Sequence, residues 1–501
     1  MKDKILVWID SELKQFCLTY YLQNEIDADF YAIIDSTNKT RVFFENQNLI
    51  KFKKVWYYHD HTLPLKHPDL DYLSSFENKY DIELWKLAIN DRILYGFNDS
   101  YKFSKNEILS ILENECKFFE SVLNEINIDY LIMHEPYQHH DELFYELSKR
   151  KNIKILAYFF STLGYRCEIS QTVHVLDEIK KFKVKNNSRN FVELRKYLDS
   201  FKLDVKVKKQ NKDPFGNKTN VVNAAFDYLL KTKNENVKTH YSYFGRSKFN
   251  VLLNSISGSF KTKKRWKYLN KKLNKNPDLN TNFVYYPLHI EQERSTLIVT
   301  PFYTDEVEFI KNIVKSLPIN YTLYVKEHPS QLTRHWRSKQ FYDEVSKIPN
   351  VILIHPHVSS LELVENCSLV ITKSGTVALE AAFYEKPSIT CADFDYTVLS
   401  SVERLKSIED LPKLIRTCLK KTPNSDELDA YVSLVEKNTF EFDGSNFDMN
   451  KAKTFFHGGR LVDVDITNLQ MKKFLDENEH ELKIFSQEMI KKINYFEMQY
   501  E

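Results

Sequence analysis

Leu369–Ala382 reads L-V-I-T-K-S-G-T-V-A-L-E-A-A. An apolar run ends at Thr372, a tight turn follows on Gly375, and a helical pattern begins near Thr376. The start of such a helix offers unpaired N–H groups and the positive end of its dipole, which suit a phosphate. Ser374 and Thr376 add hydroxyl donors, and Glu380 lies one turn on, placed to accept from ribose hydroxyls. Read alone, the same stretch is also an ordinary strand–turn–helix with Ser or Thr as its cap. Its neighbours decide between these readings.

Working outward, short apolar runs recur at Phe283–His289, Thr322–Lys326, Val351–His355 and Pro387–Thr390, with helical patterns between them. Runs of this length, rich in β-branched and aromatic residues, suit strands buried on both faces of a parallel sheet. A second series occupies the N-terminal part, at Lys4–Asp10, Asp29–Asp35, Lys54–Asp60, Asp129–Glu135 and Lys154–Phe160. The expected fold is α/β, with two Rossmann-like parallel-sheet domains facing a cleft. The expected division is an N-terminal Rossmann-like domain over residues 1–170, a basic, mainly helical insert over 171–280, a C-terminal Rossmann-like domain over 281–423 and a helical tail over 424–501.

Composition narrows the chemistry. Only 9 of 501 residues are Gly, and neither a G-x-G-x-x-G dinucleotide loop nor a G-x-x-x-x-G-K-[ST] phosphate loop occurs. The six cysteines are scattered, so no C-x-x-C redox pair or zinc ribbon is encoded, and a reducing compartment is expected. Charge interrupts the N-terminal apolar run at Asp10, too soon for a signal peptide, and no run reaches the ~18 residues of a membrane span. The expected location is the cytoplasm, with peripheral contact at the inner membrane face still open. The net charge of +2 hides an asymmetry: Lys180–Lys275 holds 26 Lys and Arg against 6 Asp and Glu. Within it, Lys261–Lys275 has eight basic residues and no acid. A solvated face, an anionic lipid surface with Trp266 and Tyr268 as interfacial aromatics, and a polyanionic glycan all fit that segment. No recognised nucleic-acid module accompanies it.

Ligands of open parallel sheets bind beyond the carboxyl ends of the strands. The polar residues there include His289, Glu291 and Glu293, then Glu327 and His328, then His355 and His357, then Lys373–Thr376, then Asp393 and Asp395. His328 precedes Pro329, which holds the chain in an extended turn and aims the imidazole across this rim. Y-Y-P-L-H-I-E-Q-E-R-S-T, residues 285–296, concentrates His289, Glu293, Ser295 and Thr296 in one loop, too polar for a core.

These three pieces, in this order, resemble the bacterial capsule polysaccharide biosynthesis proteins, a group that includes Kdo transferases of the GT-B glycosyltransferase fold. The resemblance covers residues 283–390 well and extends weakly to M-H-E-P-Y at Met133–Tyr137. Where the family pattern reads H-x-Q-P-E-x-[ST]-T, this chain keeps His289, Glu293, Ser295 and Thr296 but carries Glu291 and Gln292. The resemblance implies a metal-independent GT-B transferase moving a sugar from a nucleotide-activated donor, of the CMP-activated acid-sugar (CMP-Kdo) type, to a surface polysaccharide or glycolipid. It implies nucleotide binding by His328, Pro329, Ser374 and Thr376. Gly375, Glu380, Ser295 and Thr296 join them as expected binding residues, and His289 and Glu293 are expected catalytic groups.

The N-terminal domain is expected to bind the acceptor and supply acid–base groups from Asp10, His59, Asp60, His134 and Glu135. Glu135 is the first choice for a base, because it ends a strand at the crevice. His139 and His140 hint at a metal, but adjacent histidines point apart and no spaced ligand set accompanies them. Asp393-Phe394-Asp395 imitates a metal-binding D-x-D, yet similar triplets begin at Asp27, Asp69 and Asp463. No metal or other cofactor is expected. Two alternatives stand beside the transferase: a sugar-nucleotide 2-epimerase on the same scaffold, and a non-enzymatic lipid- or nucleic-acid-binding protein.

Overall fold

A computed structural model describes residues 2–184, 189–201, 235–291, 293–332 and 337–498. Two sheets organise it. The first contains β1 (Asp3–Ile9), β2 (Ala28–Ile34), β3 (Lys54–Tyr57), β4 (Tyr130–His134), β5 (Lys154–Phe160) and β6 (Arg166–Ser170). The second contains β7 (Phe283–Pro287), β8 (Thr322–Lys326), β9 (Val351–Ile354), β10 (Leu369–Thr372), β11 (Ser388–Thr390) and β12 (Val402–Arg404). β13 (Phe440–Glu441) returns to the edge of the first sheet. The strand orders are β13-β6-β5-β4-β1-β2-β3 and β12-β11-β10-β7-β8-β9.

All pairings in the second sheet are parallel, as are those among β1–β5. Only β6 and β13 run antiparallel to their neighbours. The α/β reading with two parallel sheets is therefore borne out, and the burial pattern explains it. In β1, Ile5, Val7 and Ile9 enter one core while Leu6 and Trp8 enter the other. In β7, Phe283 and Tyr285 face one core while Val284 and Tyr286 face the opposite one. A strand covered on both faces must be apolar at every position, which is why these runs read as continuous.

Helices cover both faces. Lys105–Ile126 starts with a capping box between Ser104 and Glu107 and buries a stripe from Ile108 to Ile126. Beyond Asn424 the chain is mostly helical and serves both domains. Ser425–Asn438 buries Leu428, Tyr431, Val432 and Val435 in the second-domain core. Glu479–Met498 packs Leu482, Phe485 and Met489 into the first-domain core.

β6, β12 and β13 were not expected from the sequence. R-C-E-I-S and V-E-R mix charge with apolar residues, and β13 is two residues long. β12 and β13 are edge strands and β6 lies next to the edge, where strands lack the apolar signature of central ones.

The basic segment lies only partly within the described residues, since 202–234 falls outside them. Its helix Lys248–Lys272 rests on the second domain. Trp266 packs at 5.6 Å from the His355 ring and 5.2 Å from that of His357. The Tyr268 hydroxyl donates to Asp343 at 2.6 Å, and Leu269 is buried. This corrects the expectation that Trp266 and Tyr268 reach a membrane interface, because both anchor the helix to its own protein. All six cysteines are free and buried. Among the described residues no helix is long and apolar enough to cross a membrane.

Candidate functional site

In the second sheet the chain leaves β7 toward β8 and β9 on one side, and later places β10, β11 and β12 on the other. The switch point between β7 and β10 is where a parallel sheet opens a crevice at its carboxyl edge. β7 delivers His289 there, and β10 delivers Thr372–Thr376. His289 Nε2 accepts the Ser374 N–H at 3.3 Å and lies 3.2 Å from Thr372 Oγ1. The Gly375 N–H donates to Thr372 Oγ1 at 3.0 Å. A Cβ at Gly375 would stand 2.8 Å from that oxygen, so the turn requires glycine.

The two loops are sewn together further out. Ser374 Oγ donates to the Ser295 carbonyl at 2.7 Å. Thr376 Oγ1 donates to Glu380 at 2.9 Å. Thr296 is buried, and its hydroxyl donates back to the Glu293 carbonyl at 2.9 Å. Thr296 is thus turned into the loop. Glu293 caps the short helix Arg294–Leu297 and is half-buried.

His289 is similarly committed. Burial, then the nearby Lys373 charge, lowers its pKa to about 3. A neutral imidazole that accepts at Nε2 holds the turn in place. His328 is half-exposed on the same rim, and its Nδ1 accepts the Ser330 N–H at 3.2 Å across the Pro329 turn. It is close enough to be one of the charges that depress His289.

Two buried ion pairs support this edge. Lys373 Nζ meets Glu306 at 2.5 Å, and Tyr286 donates to the same carboxylate. Arg337, with 1% of its surface exposed, meets Glu327 at 2.6 Å and Glu291 at 3.2 Å, and donates to the His289 carbonyl. One guanidinium therefore ties the loop after β8 to the loop after β7. Sequence reasoning missed Arg337, Lys373 and Glu306 as a supporting layer. Only the acid before His328 hinted that a buried cation was needed.

In the first sheet the corresponding switch point lies between β1 and β4. Burial, then neighbouring Glu12, raises Asp10 there to about 7. Burial lowers His134 to about 4, and its ring contacts the Tyr137 hydroxyl at 3.0 Å. Glu135 reaches across the interdomain boundary, 2.9 Å from His174 Nε2 and 3.5 Å from Arg294 of the second domain. Burial works to raise its carboxyl, but His174 and Arg294 hold it well below the usual range. Glu135 therefore ties the two domains together as an ionised carboxylate. His59 pairs with Asp35 at 2.9 Å and Asp60 with Arg41 at 2.5 Å.

The adjacent histidines do converge, contrary to expectation, because the helix Lys105–Ile126 brings Glu115 between them. Donor atoms of Glu115, His139 and His140 all lie within 4.8 Å of one another, and this trio could hold a metal ion. Each already has protein partners: His139 lies 3.0 Å from Asp91 and 3.1 Å from Glu115, and His140 lies 3.2 Å from Asp35. Burial opposes a charge on His139, yet the two carboxylates keep its pKa well above the ordinary value. Asp393 and Asp395 do not form a cradle. Asp393 pairs with Arg404 at 2.7 Å, while Asp395 is buried and accepts from Tyr431 at 2.8 Å.

No curated protein sequence matches the chain significantly. Solved structures similar to it include the UDP-GlcNAc 2-epimerase of Methanocaldococcus jannaschii with UDP-GlcNAc and UDP, at 15% identity over 87% of this chain and 100% of that one, with a TM-score of 0.25. KpsC of Thermosulfurimonas dismutans, a β Kdo 2,7 transferase, is 10% identical over 74% and 97%, with a TM-score of 0.29. Anabaena Alr3699/HepE with UDP and glucose is 11% identical over 90% and 99%, with a TM-score of 0.25. Scores this low carry no argument, and the fold rests on the strand orders above. The resemblance read in the sequence is borne out by its own region: over residues 184–400 the chain matches the family model of the capsule polysaccharide biosynthesis protein.

Proposed function

We propose that this chain is a glycosyltransferase of surface-polysaccharide assembly, moving a sugar from a nucleotide-activated donor to a glycan or glycolipid acceptor. The donor class we favour is a CMP-activated acid sugar of the Kdo type. One observation carries the reading. The switch point of the second sheet brings His289, Ser295 and Ser374 of separate motifs into one bonded loop pair, with His328 on the rim beside it. The family match over residues 184–400 supports it independently. The nucleotide's phosphate is assigned to the edge between His328 and the Ser374–Thr376 turn, with Glu380 toward the ribose. Because Asp393 and Asp395 serve separate partners, we assign no metal to the donor and no other cofactor to the reaction. The exposed lysines Lys264, Lys267 and Lys271 are assigned to attachment at an anionic membrane surface.

Calorimetric titration with CMP, UDP and GDP tests the donor assignment. His328→Ala should weaken the preferred nucleotide roughly ten- to a hundredfold, the worth of a charge-assisted hydrogen bond. Unchanged affinity would remove His328 from the site, and no binding of any nucleotide would remove the transferase reading.

A further inference from the structure

A cavity of about 320 Å³ opens where the first domain meets the loop after β7. Leu87, Arg92, Tyr137 and Glu142 line it from one domain, Leu297 and Val299 from the other. Ligand pockets of proteins start at about this size. Asn90 Nδ2 reaches the Pro301 carbonyl at 3.4 Å, so the two walls are joined at the rim.

Its polar groups are unfinished. Glu142 makes no side-chain hydrogen bond or salt bridge among the described residues, and its Oε2 is shielded from solvent without a partner. Arg294, behind it, uses one guanidinium nitrogen on Glu135 and leaves Nε buried and unpaired. Arg92 touches only the Tyr137 carbonyl, at 3.0 Å, and has no carboxylate among the described residues. Native proteins rarely leave a buried carboxylate oxygen unmet, and this one shares a cavity wall with a guanidinium that has no carboxylate, which points to a polar occupant. The rest of the lining is strongly polar, with Glu83, Lys86, Glu146 and Arg150 around Glu142 and Arg92.

The cavity also adjoins the donor edge. The short helix Arg294–Leu297 gives Leu297 to its wall, while Ser295 of the same helix accepts from Ser374. We propose that this cavity binds the acceptor saccharide, one carrying an acidic group that faces Arg92, and that Glu142 takes the proton of the attacking hydroxyl. The proposal rests on the transferase reading. In the step, the acceptor oxygen bonds to the anomeric carbon as the bond from that carbon to the donor phosphate oxygen breaks. The nucleotide leaves with the electron pair, and the hydroxyl proton passes to Glu142. Burial, opposed by Arg294 and reinforced by Glu146 and Asp141, with Lys149 opposing again, raises Glu142 to about 7, in the range of a working base.

The test uses the full chain and a matched pair of probes, methyl glucuronide and methyl glucoside, with nucleotide titration alongside. Carbodiimide amidation of carboxyls, read on peptides by mass spectrometry, should label Glu142 in the free protein. Methyl glucuronide should slow that labelling at least fivefold, and methyl glucoside less. Val299→Trp, which fills the cavity, should abolish protection. Arg92→Ala, a surface change safe for folding, should weaken glucuronide protection roughly tenfold. Protection by neither glycoside, or protection that survives both variants, overturns the cavity. Equal protection by both glycosides overturns the acidic class. Should a glycoside protect while no nucleotide binds, the saccharide site stands and the transferase reading falls. Nucleotide binding without protection has the opposite meaning.

Discussion

At the end of β10 the polar groups of the turn are already engaged. The Ser374 N–H goes to His289, the Gly375 N–H to Thr372, and the Ser374 hydroxyl to Ser295. Below it, Arg337 and Lys373 neutralise Glu327 and Glu306. Behind β4 in the first domain the situation is reversed. Glu142 and Arg92 face a cavity without ionic partners among the described residues, and burial holds Asp10 and Glu142 near neutrality. The physical difference is between preorganisation and availability. A site that must hold a constant group, such as a nucleotide phosphate, gains from a rigid frame that need not reorganise. A site that must exchange a proton needs a group left unpaired, at a cost in stability.

The largest effect should come from breaking the rigid side. Arg337→Met leaves Glu327 buried without its cation and frees the half-exposed Glu291. Removing one member of a buried pair costs about 3–5 kcal/mol, which urea denaturation would register. A loss below about 1 kcal/mol, the level of an exposed ion pair, would mean that the loops after β7 and β8 are held by something else.

Glu142→Gln should separate activity from stability on the open side. Transfer should fall at least about a hundredfold, the usual minimum for a lost general base. Stability should hold or rise. A carboxyl raised in the folded state is fully stable while protonated, and that stability is lost as pH climbs from its ordinary value toward about 7. Glutamine removes the loss, so the variant's gain on wild type should grow from about pH 4.5 to about pH 7 and then level off. Full turnover in Glu142→Gln would return the proton-taking role to another group, with Asp10 next in line.

His289 sharpens the comparison at a smaller scale. Its folded pKa is depressed by burial first and by Lys373 second. For a histidine that sign means stability complete above the unfolded value near 6.5 and lost as pH falls toward about 3. Carbon NMR of the labelled ring should therefore show a neutral imidazole at pH 5. A protonated ring at that pH would mean the bond from Ser374 does not hold and the turn is looser than drawn.

Much of the frame was legible because parallel strands announce themselves. β1, β4, β5, β7 and β10 are buried on both faces, so their apolar runs had no competing explanation. The rim residues followed from strand ends alone, and His289, His328 and Ser374 do meet at one edge. What failed was orientation. Nothing in Thr296 tells whether its hydroxyl faces a ligand or the Glu293 carbonyl, and nothing in E-P-Y reveals that Arg294, 159 positions away, would engage Glu135. Long-range pairs between loops leave no periodic trace. Glu142 was hidden for the same reason: within H-H-D-E-L-F it reads as an acid in a first helical turn, and only the opposite domain makes a cavity of its surroundings.

The smallest effect concerns the helix Lys248–Lys272. Lys264, Lys267 and Lys271 recur at spacings of three and four and are exposed, while Trp266 and Leu269 pack toward the second domain. The outward face is therefore cationic without an aromatic anchor, so membrane attachment here must be electrostatic alone. Each basic residue near an anionic surface is worth about 1 kcal/mol. Lys267→Gln should then weaken binding to phosphatidylserine vesicles about fivefold at 0.1 M salt. The difference should vanish near 1 M, where the screening length shrinks to about 3 Å. Vesicles of phosphatidylcholine should bind neither protein. Equal binding of wild type and variant to anionic vesicles at low salt would end the electrostatic reading. A loss of turnover on a soluble acceptor with vesicle binding intact would instead make this helix a wall of the acceptor path.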